Sequence, residues 1–238
     1  MRWKTSISQN KDGGLQIRGQ QLLTLIKDHS FTEAIFLLLK GKLPTKAEDA
    51  MVNALLVACV EHGVAAPSAF VPRVVASTGN DMNASLAAGV LTISKYHGGA
   101  IEACMNTLQQ DAEPAEIVKS SLEKGERLSG FGHKVYTDAD PRAQALFTKA
   151  SELGLGVTYI TKVQGIEAEL ASQKGKKLPI NIDGAIAAIL CELGFDARLG
   201  KAFFILGRLP GMMAHALEEM TNEKPYRRLD DEDIEYTG

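Results

Sequence analysis

Ser30-Phe31-Thr32-Glu33-Ala34-Ile35-Phe36-Leu37-Leu38-Leu39-Lys40-Gly41 is followed, after Lys42-Leu43-Pro44, by Thr45-Lys46-Ala47-Glu48. Both Ser30-x-x-Glu33 and Thr45-x-x-Glu48 have the form of a capping box, in which hydroxyl and carboxylate satisfy each other's backbone N–H groups at a helix start. The first helix is expected to stop at Gly41. The second should run through Met51, Leu55, Leu56 and Ala58 to Gly63. The helical period persists downstream and predicts helices over 68–77, 81–94, 99–109, 114–124, 141–153, 157–173, 183–193, 199–208 and 212–220. Asp140-Pro141 is a strong start, with Asp as N-cap and Pro at the first helical position. Upstream, Thr5-Ser6-Ile7-Ser8, Lys11-Asp12-Gly13-Gly14 and Leu15-Gln16-Ile17 read as a hairpin around a tight turn. The expected class is all-α with a small N-terminal hairpin.

Composition breaks fall near 95–99 and at Gln173-Lys174-Gly175-Lys176-Lys177-Leu178-Pro179. They suggest a large helical domain made of 1–96 and 180–238, with a small helical domain, 97–179, inserted. The charged tail Arg227-Arg228-Leu229-Asp230-Asp231-Glu232-Asp233 is non-periodic and is expected to lie across a surface.

The 238 residues are 45% hydrophobic and 23% charged, which excludes disorder and collagen-like repetition. The net charge of −3 argues against a nucleic-acid partner. No apolar run approaches the ~20 residues needed to span a bilayer. Met1-Arg2-Trp3-Lys4-Thr5-Ser6 has no apolar signal core behind it. Cys59, Cys104 and Cys191 lie far apart in apolar stretches, as reduced core thiols of a cytoplasmic protein would.

Polar groups that could carry chemistry sit at loop–helix junctions: His62 in Glu61-His62-Gly63, His97 in His97-Gly98-Gly99-Ala100, His133 in Gly130-Phe131-Gly132-His133, and Asp183 after Pro179-Ile180-Asn181-Ile182. Neighbouring glycines leave an imidazole uncovered and let a ligand approach the backbone. Each histidine could equally be a cap or a satisfied core group, and Asp183 an N-cap for the helix it begins. His215, among apolar residues, reads as structural, and His29 as a surface residue near a helix end. Metal-site spacing, Gly-x-Ser-x-Gly and phosphate-loop glycine patterns are all missing. What remains is proton transfer by His and Asp, with Arg142 and Arg208 available for an anionic substrate. Arg208 interrupts the apolar run Phe203-Phe204-Ile205-Leu206-Gly207-Arg208-Leu209-Pro210-Gly211. Such a charge needs either a structural ion pair or a substrate carboxylate.

Taken together, the motifs resemble those of the citrate synthase superfamily. Gly130-Phe131-Gly132-His133-Lys134-Val135-Tyr136 with Asp140-Pro141-Arg142 is similar to its signature. His97-Gly98-Gly99-Ala100 resembles its first catalytic histidine motif, Pro179-Ile180-Asn181-Ile182-Asp183 its aspartate motif, and Arg208-Leu209-Pro210-Gly211-Met212-Met213-Ala214-His215 its helical arginine motif. Weaker likeness reaches Gly14-Leu15-Gln16-Ile17-Arg18-Gly19 and the 34–45 stretch. Citrate synthases carry a longer helical run before the first substrate-binding histidine than the single helix between Leu43-Pro44-Thr45 and His62. The tail Pro225-Tyr226-Arg227-Arg228 resembles the citryl-CoA lyase module of ATP-citrate lyase, and the short build resembles stand-alone citryl-CoA lyases.

The resemblance implies a short citrate synthase-like helical fold that cleaves (3S)-citryl-CoA to acetyl-CoA and oxaloacetate. It implies catalytic roles for three residues. His133 takes the proton of the tertiary hydroxyl, His97 hydrogen-bonds the enolate oxygen, and Asp183 protonates the methylene carbon. His62, Arg142, Arg208 and, from a partner chain, Arg227 would bind the substrate. Leu128, Gly130, Phe131, Gly132, Lys134 and Val135 would lie along coenzyme A, which enters as a thioester substrate. No other cofactor and no metal are implied. The implied partners are a second copy in a homodimer and a citryl-CoA synthetase that supplies the substrate. Helical stretches at 84–93 and 101–108, apolar on more than one face, are also expected to be covered by another copy. Three other readings stay open: a small citrate or 2-methylcitrate synthase, a non-catalytic helical subunit of a complex, and a metal-dependent hydrolase.

Overall fold

The computed structural model describes residues 2–11 and 13–238. Its N-terminus is a three-stranded antiparallel meander of β1 (Ser8–Lys11), β2 (Gly14–Ile17) and β3 (Gln20–Gln21). Lys11 stands opposite Gly14, so pairing starts at Ser8 rather than at the expected Thr5. Asp12 of the expected turn lies outside the described residues. Arg18 (φ 50°) and Gly19 (φ 84°) make the second two-residue turn, which sets Ile17 opposite Gln20.

Eleven α-helices follow among the described residues: α1 (Leu22–Asp28), α2 (Phe31–Lys40), α3 (Lys46–Cys59), α4 (Pro67–Ser77), α5 (Met82–Leu91), α6 (Ala100–Leu108), α7 (Pro114–Glu123), α8 (Pro141–Glu152), α9 (Thr158–Lys174), α10 (Ile182–Glu192) and α11 (Gly200–Asn222). Both capping boxes form. Ser30 accepts the Glu33 N–H and Thr45 that of Glu48, and each glutamate accepts the cap residue's own N–H at 2.7 Å. Helix α2 ends at Gly41 with φ 77°. Helix α3 ends four residues before Gly63, because the Cys59 carbonyl is turned onto the Arg208 guanidinium at 2.7 Å. Helix α5 likewise stops short of 94, where Ser94 and His97 exchange backbone hydrogen bonds.

Two expected helices, 199–208 and 212–220, are one. Helix α11 passes through Pro210 without a break. An interior proline costs ~3 kcal/mol, but Phe203, Phe204 and Met212 are buried along α11. Each contributes roughly 1.5–3 kcal/mol on burial, which outweighs the kink penalty.

The core is built on α10, whose residues from Gly184 to Cys191 are all buried. Helices α6, α8 and α9 pack around it, with α7 behind α9. The second layer is α11, against which α3, α4, α5 and α6 pack. The expectation that 101–108 needs another copy is corrected: Ile101, Cys104, Met105 and Leu108 are all covered by α10 and α11 within the chain. Helix α5 is different, with only Ser85 and Gly89 buried and Leu91 82% exposed. Cys59, Cys104 and Cys191 are free and buried. No helix among the described residues is long and apolar enough to cross a membrane.

Candidate active site

The N-terminus of α10 meets α11 across a cavity of about 210 Å³, lined by His62, His97, His133, Arg142, Asp183 and Arg208 together with Cys59, Asn181 and Phe204. Six of the seven residues expected to bind or transform substrate therefore converge. Arg227 does not join them in its own chain. Its guanidinium is bidentate to buried Glu219 at 2.8 and 2.7 Å, a carboxylate it shares with Arg73. The residue before it, Tyr226, is held at φ 96°, in the sparsely populated region that costs about 1–3 kcal/mol.

Backbone pairing sets the cavity wall. Phe131 bridges Ile180, the Gly132 N–H donates to the Pro179 carbonyl at 2.7 Å, and the Asn181 N–H to the Gly130 carbonyl at 3.0 Å. Gly130 and Gly184 permit this approach. A Cβ on Gly130 (φ 92°) would lie 2.8 Å from the Gly184 Cα, and one on Gly184 would collide with the Gly130 carbonyl. Gly130 thereby docks the His133 loop on α10.

Asp183 is not the N-cap. Helix α10 starts at Ile182, and the Asn181 side chain accepts the Asp183 and Gly184 N–H groups at 3.1 and 3.2 Å while donating to the Gly132 carbonyl. The Asp183 carboxyl is left free to face the cavity. Burial raises its pKa, with Arg142 and Arg208 pulling the other way.

His97 lies 2.8 Å through Nε2 from the hydroxyl of fully buried Ser68, which also accepts a hydrogen bond from Arg208 at 3.3 Å. With Ser68 donating to Nε2, the ring hydrogen of neutral His97 sits on Nδ1, a tautomer assigned from this network. Burial and Arg208 lower the His97 pKa, so the ring is neutral at pH 7. His133 has its Nδ1 turned onto the Val135 and Tyr136 N–H groups, both at 3.1 Å. Its Nε2 lies 3.3 Å from the Arg142 guanidinium. His62 is exposed overall, but partial burial of its ring, with Arg142 and Arg208, lowers its pKa as well.

The two cavity arginines differ. Arg142 is held by Asp140, which is 1% exposed and also accepts the Ile182 N–H, tying the starts of α8 and α10 together. Burial pushes the Asp140 carboxyl up, but the Arg142 and Ile182 hydrogen bonds outweigh it and keep the group charged. Arg208 is 4% exposed and has no carboxylate partner among the described residues. It donates to Cys59 and Ser68 and stacks over Phe204 at 4.8 Å. The Cys59 thiol, pushed up to about 12 chiefly by burial, is no nucleophile at pH 7.

Leu128, Phe131, Gly132 and Lys134 line a second cavity of about 460 Å³, which opens beside the first and shares His133 with it. Val135 lines a third, of about 660 Å³, with Glu61, His62 and Lys134. The second cavity also carries Arg127, Lys174 and Lys176. The basic run at 174–177 marked the two lysines in the sequence, but only as a composition break, and nothing marked Arg127. Ser68 and Asn181 were likewise missed. Asn181 had a usable signal, as a cap-type residue one position before the helix.

Residues 47–229 match the family model for the citrate synthase C-terminal domain. Citrate synthase 2 of Bacillus subtilis is 33% identical over 220 residues, covering 89% of this chain and 57% of the relative. The structure of citryl-CoA lyase from Hydrogenobacter thermophilus superposes with a TM-score of 0.96 at 48% identity, covering 99% of this chain and 94% of that one. ATP citrate lyase from Methanothrix soehngenii, in complex with citrate and coenzyme A, gives a TM-score of 0.86 at 25% identity over 100% of this chain and 42% of its own. The chain belongs to the citrate synthase family and has its helical fold. It spans about half the length of the curated citrate synthases it matches.

Proposed function

We propose that this chain is a citryl-CoA lyase. The observation that carries the reading is Arg208, a buried guanidinium with no carboxylate partner among the described residues, sharing one cavity with Asp183, His97 and His133. A charge so buried is costly unless an anion meets it, and a substrate carboxylate suits its planar fork. Lyase rather than synthase is supported by the 48% identity to a citryl-CoA lyase along nearly the whole chain.

In the cleavage reaction the hydroxyl proton of citryl-CoA passes to the His133 imidazole as the carbonyl of oxaloacetate forms and the carbon–carbon bond breaks. The electron pair moves into the enolate of acetyl-CoA, whose oxygen accepts a hydrogen bond from neutral His97. Asp183, whose raised pKa helps it hold a proton, delivers that proton to the methylene carbon. Condensation is the same path reversed, with Asp183 as base and protonated His133 giving its proton to the carbonyl oxygen. The second reading is a small citrate or 2-methylcitrate synthase, supported by the 33% identity to citrate synthase 2 of Bacillus subtilis. His62, Arg142 and Arg208 hold the oxaloacetate portion. The second cavity takes coenzyme A along Leu128, Phe131 and Lys134, with Arg127, Lys174 and Lys176 for its phosphates, and the 97–179 domain covers the cleft. A separate ATP-dependent synthetase supplies citryl-CoA, and the enzyme works in the cytoplasm without metal.

Pure protein should release oxaloacetate from citryl-CoA, followed with malate dehydrogenase, without ATP and after chelation. No oxaloacetate release would overturn the reading, and activity lost to the chelator would overturn the metal-free path.

The apolar side chains left exposed on α4 and α11, among them Phe70, Val74, Leu217 and Met220, are the surface of a two-fold dimer. Across it Arg227 leaves or shares Glu219 to reach the neighbouring site. Mixing Asp183→Asn chains with Arg227→Ala chains should restore part of the activity once subunits exchange. Activity that stays at the level of the separate variants despite proven exchange would confine Arg227 to its own chain.

A further inference from the structure

His62 lines the cavity from the stretch Glu61-His62-Gly63 of the 60–66 loop between α3 and α4. Its imidazole makes no side-chain hydrogen bond among the described residues, so its direction depends on how the backbone on either side is held. Glu61 does that holding. Its Oε1 accepts the N–H of Gly63, itself at φ 84°, at 2.5 Å and lies 3.2 Å from Nε2 of His215 on α11. Gly211, one turn before His215, lies so close that a Cβ there would collide with the Glu61 Oε2 and the Val60 carbonyl. One more turn back stands Arg208. A single stripe of α11 thus places Arg208 in the cavity, presses Gly211 against the loop and clasps Glu61 with His215. Burial works against the Glu61 charge, but the His215 hydrogen bond and the His62 and Gly63 N–H groups outweigh it and keep the carboxylate ionised.

We propose that Glu61 and His215 are positioning residues that aim His62 at the oxaloacetate portion of the substrate, coupling the His62 loop to the helix that carries Arg208. This rests on the reading of the cavity given above. His215, which the sequence presents as a structural mid-helix residue, thereby acts on substrate binding without touching substrate.

The test uses the full chain with His215→Ala, His215→Gln, Glu61→Ala and the double variant Glu61→Ala/His215→Ala. His215→Gln keeps a donor near the Nε2 position. In the condensation direction, His215→Ala should raise KM for oxaloacetate about tenfold, the scale of one hydrogen bond to a charged group, and leave KM for acetyl-CoA within about twofold. His215→Gln should recover most of the loss. The double variant should be no worse than Glu61→Ala alone, because the pair acts as one unit. The imidazole NMR signals of His62, assigned with His62→Gln, should shift in His215→Ala and return in His215→Gln. An unmoved His62 signal with an unmoved oxaloacetate KM overturns the proposal, as does an equal rise in both KM values without rescue. If His215→Ala fails to fold, Glu61→Ala on the exposed loop carries the same comparison. If the unaltered protein turns over neither substrate pair, the functional reading fails, and the His62 signals still decide whether the pair positions the ring.

Discussion

Asp183→Asn is expected to reduce turnover by about 10²–10⁴-fold, the usual contribution of a positioned acid–base group, without loss of fold. The cap of α10 belongs to Asn181, so replacing the carboxyl by an amide removes no helix-capping hydrogen bond. The stability effect has a sign. The folded-state pKa of Asp183 is raised above its ordinary value, so the folded chain binds that proton more tightly than the unfolded chain does. Stability from this group is present below the ordinary carboxylate range, near pH 4, and declines as pH rises through the folded pKa. The variant lacks that decline. Its Tm should equal or exceed that of the parent at pH 7–8, with the difference shrinking as pH falls toward 4. Thermal melts at several pH values, with turnover per folded molecule, check this. A Tm several degrees lower with unchanged specific activity would make Asp183 a structural residue.

Arg208→Met should raise KM for citryl-CoA about 30-fold or more, corresponding to the ~2–5 kcal/mol lost when one member of a buried charge pair is truncated. Methionine keeps most of the volume. The charge removed has no carboxylate partner among the described residues, so no ion pair seen there is broken and Tm should move by only a few degrees. Steady-state kinetics beside a melt separate the outcomes. An unchanged KM with a collapsed Tm would assign Arg208 to the hydrogen bonds it donates to Cys59 and Ser68.

The parts of the fold that were legible in the sequence are those with local causes. A capping box spans four residues, and α2 and α3 start where Ser30 and Thr45 place them. Helix α1 left no such mark, because its cap residue Gln21 makes no capping hydrogen bond and the helix has only seven residues. The continuity of α11 through Pro210 was hidden for the opposite reason. The local rule is correct, and burial along the helix overrides it. Within the site, the histidines, Asp183 and the arginines were visible as polar groups at junctions or in apolar runs. Ser68 was not, since it stands 29 residues from His97 and 140 from Arg208, and only the packing of α4 on α11 brings the three together. The role of Asp183 was ambiguous because Asn181 and Asp183 are both good cap residues, and the choice between them depends on where the 130–132 loop docks.

The direction of the chemistry is the central claim, and the fate of citryl-CoA tests it most directly. Chromatography of the complete reaction mixture, with pure protein and citryl-CoA alone, counts acetyl-CoA, free coenzyme A and citrate together. A lyase converts each citryl-CoA consumed into one acetyl-CoA and one oxaloacetate, with free coenzyme A no higher than in an enzyme-free control. Citrate and free coenzyme A accumulating in place of acetyl-CoA would contradict the account and make the protein a synthase that hydrolyses the thioester.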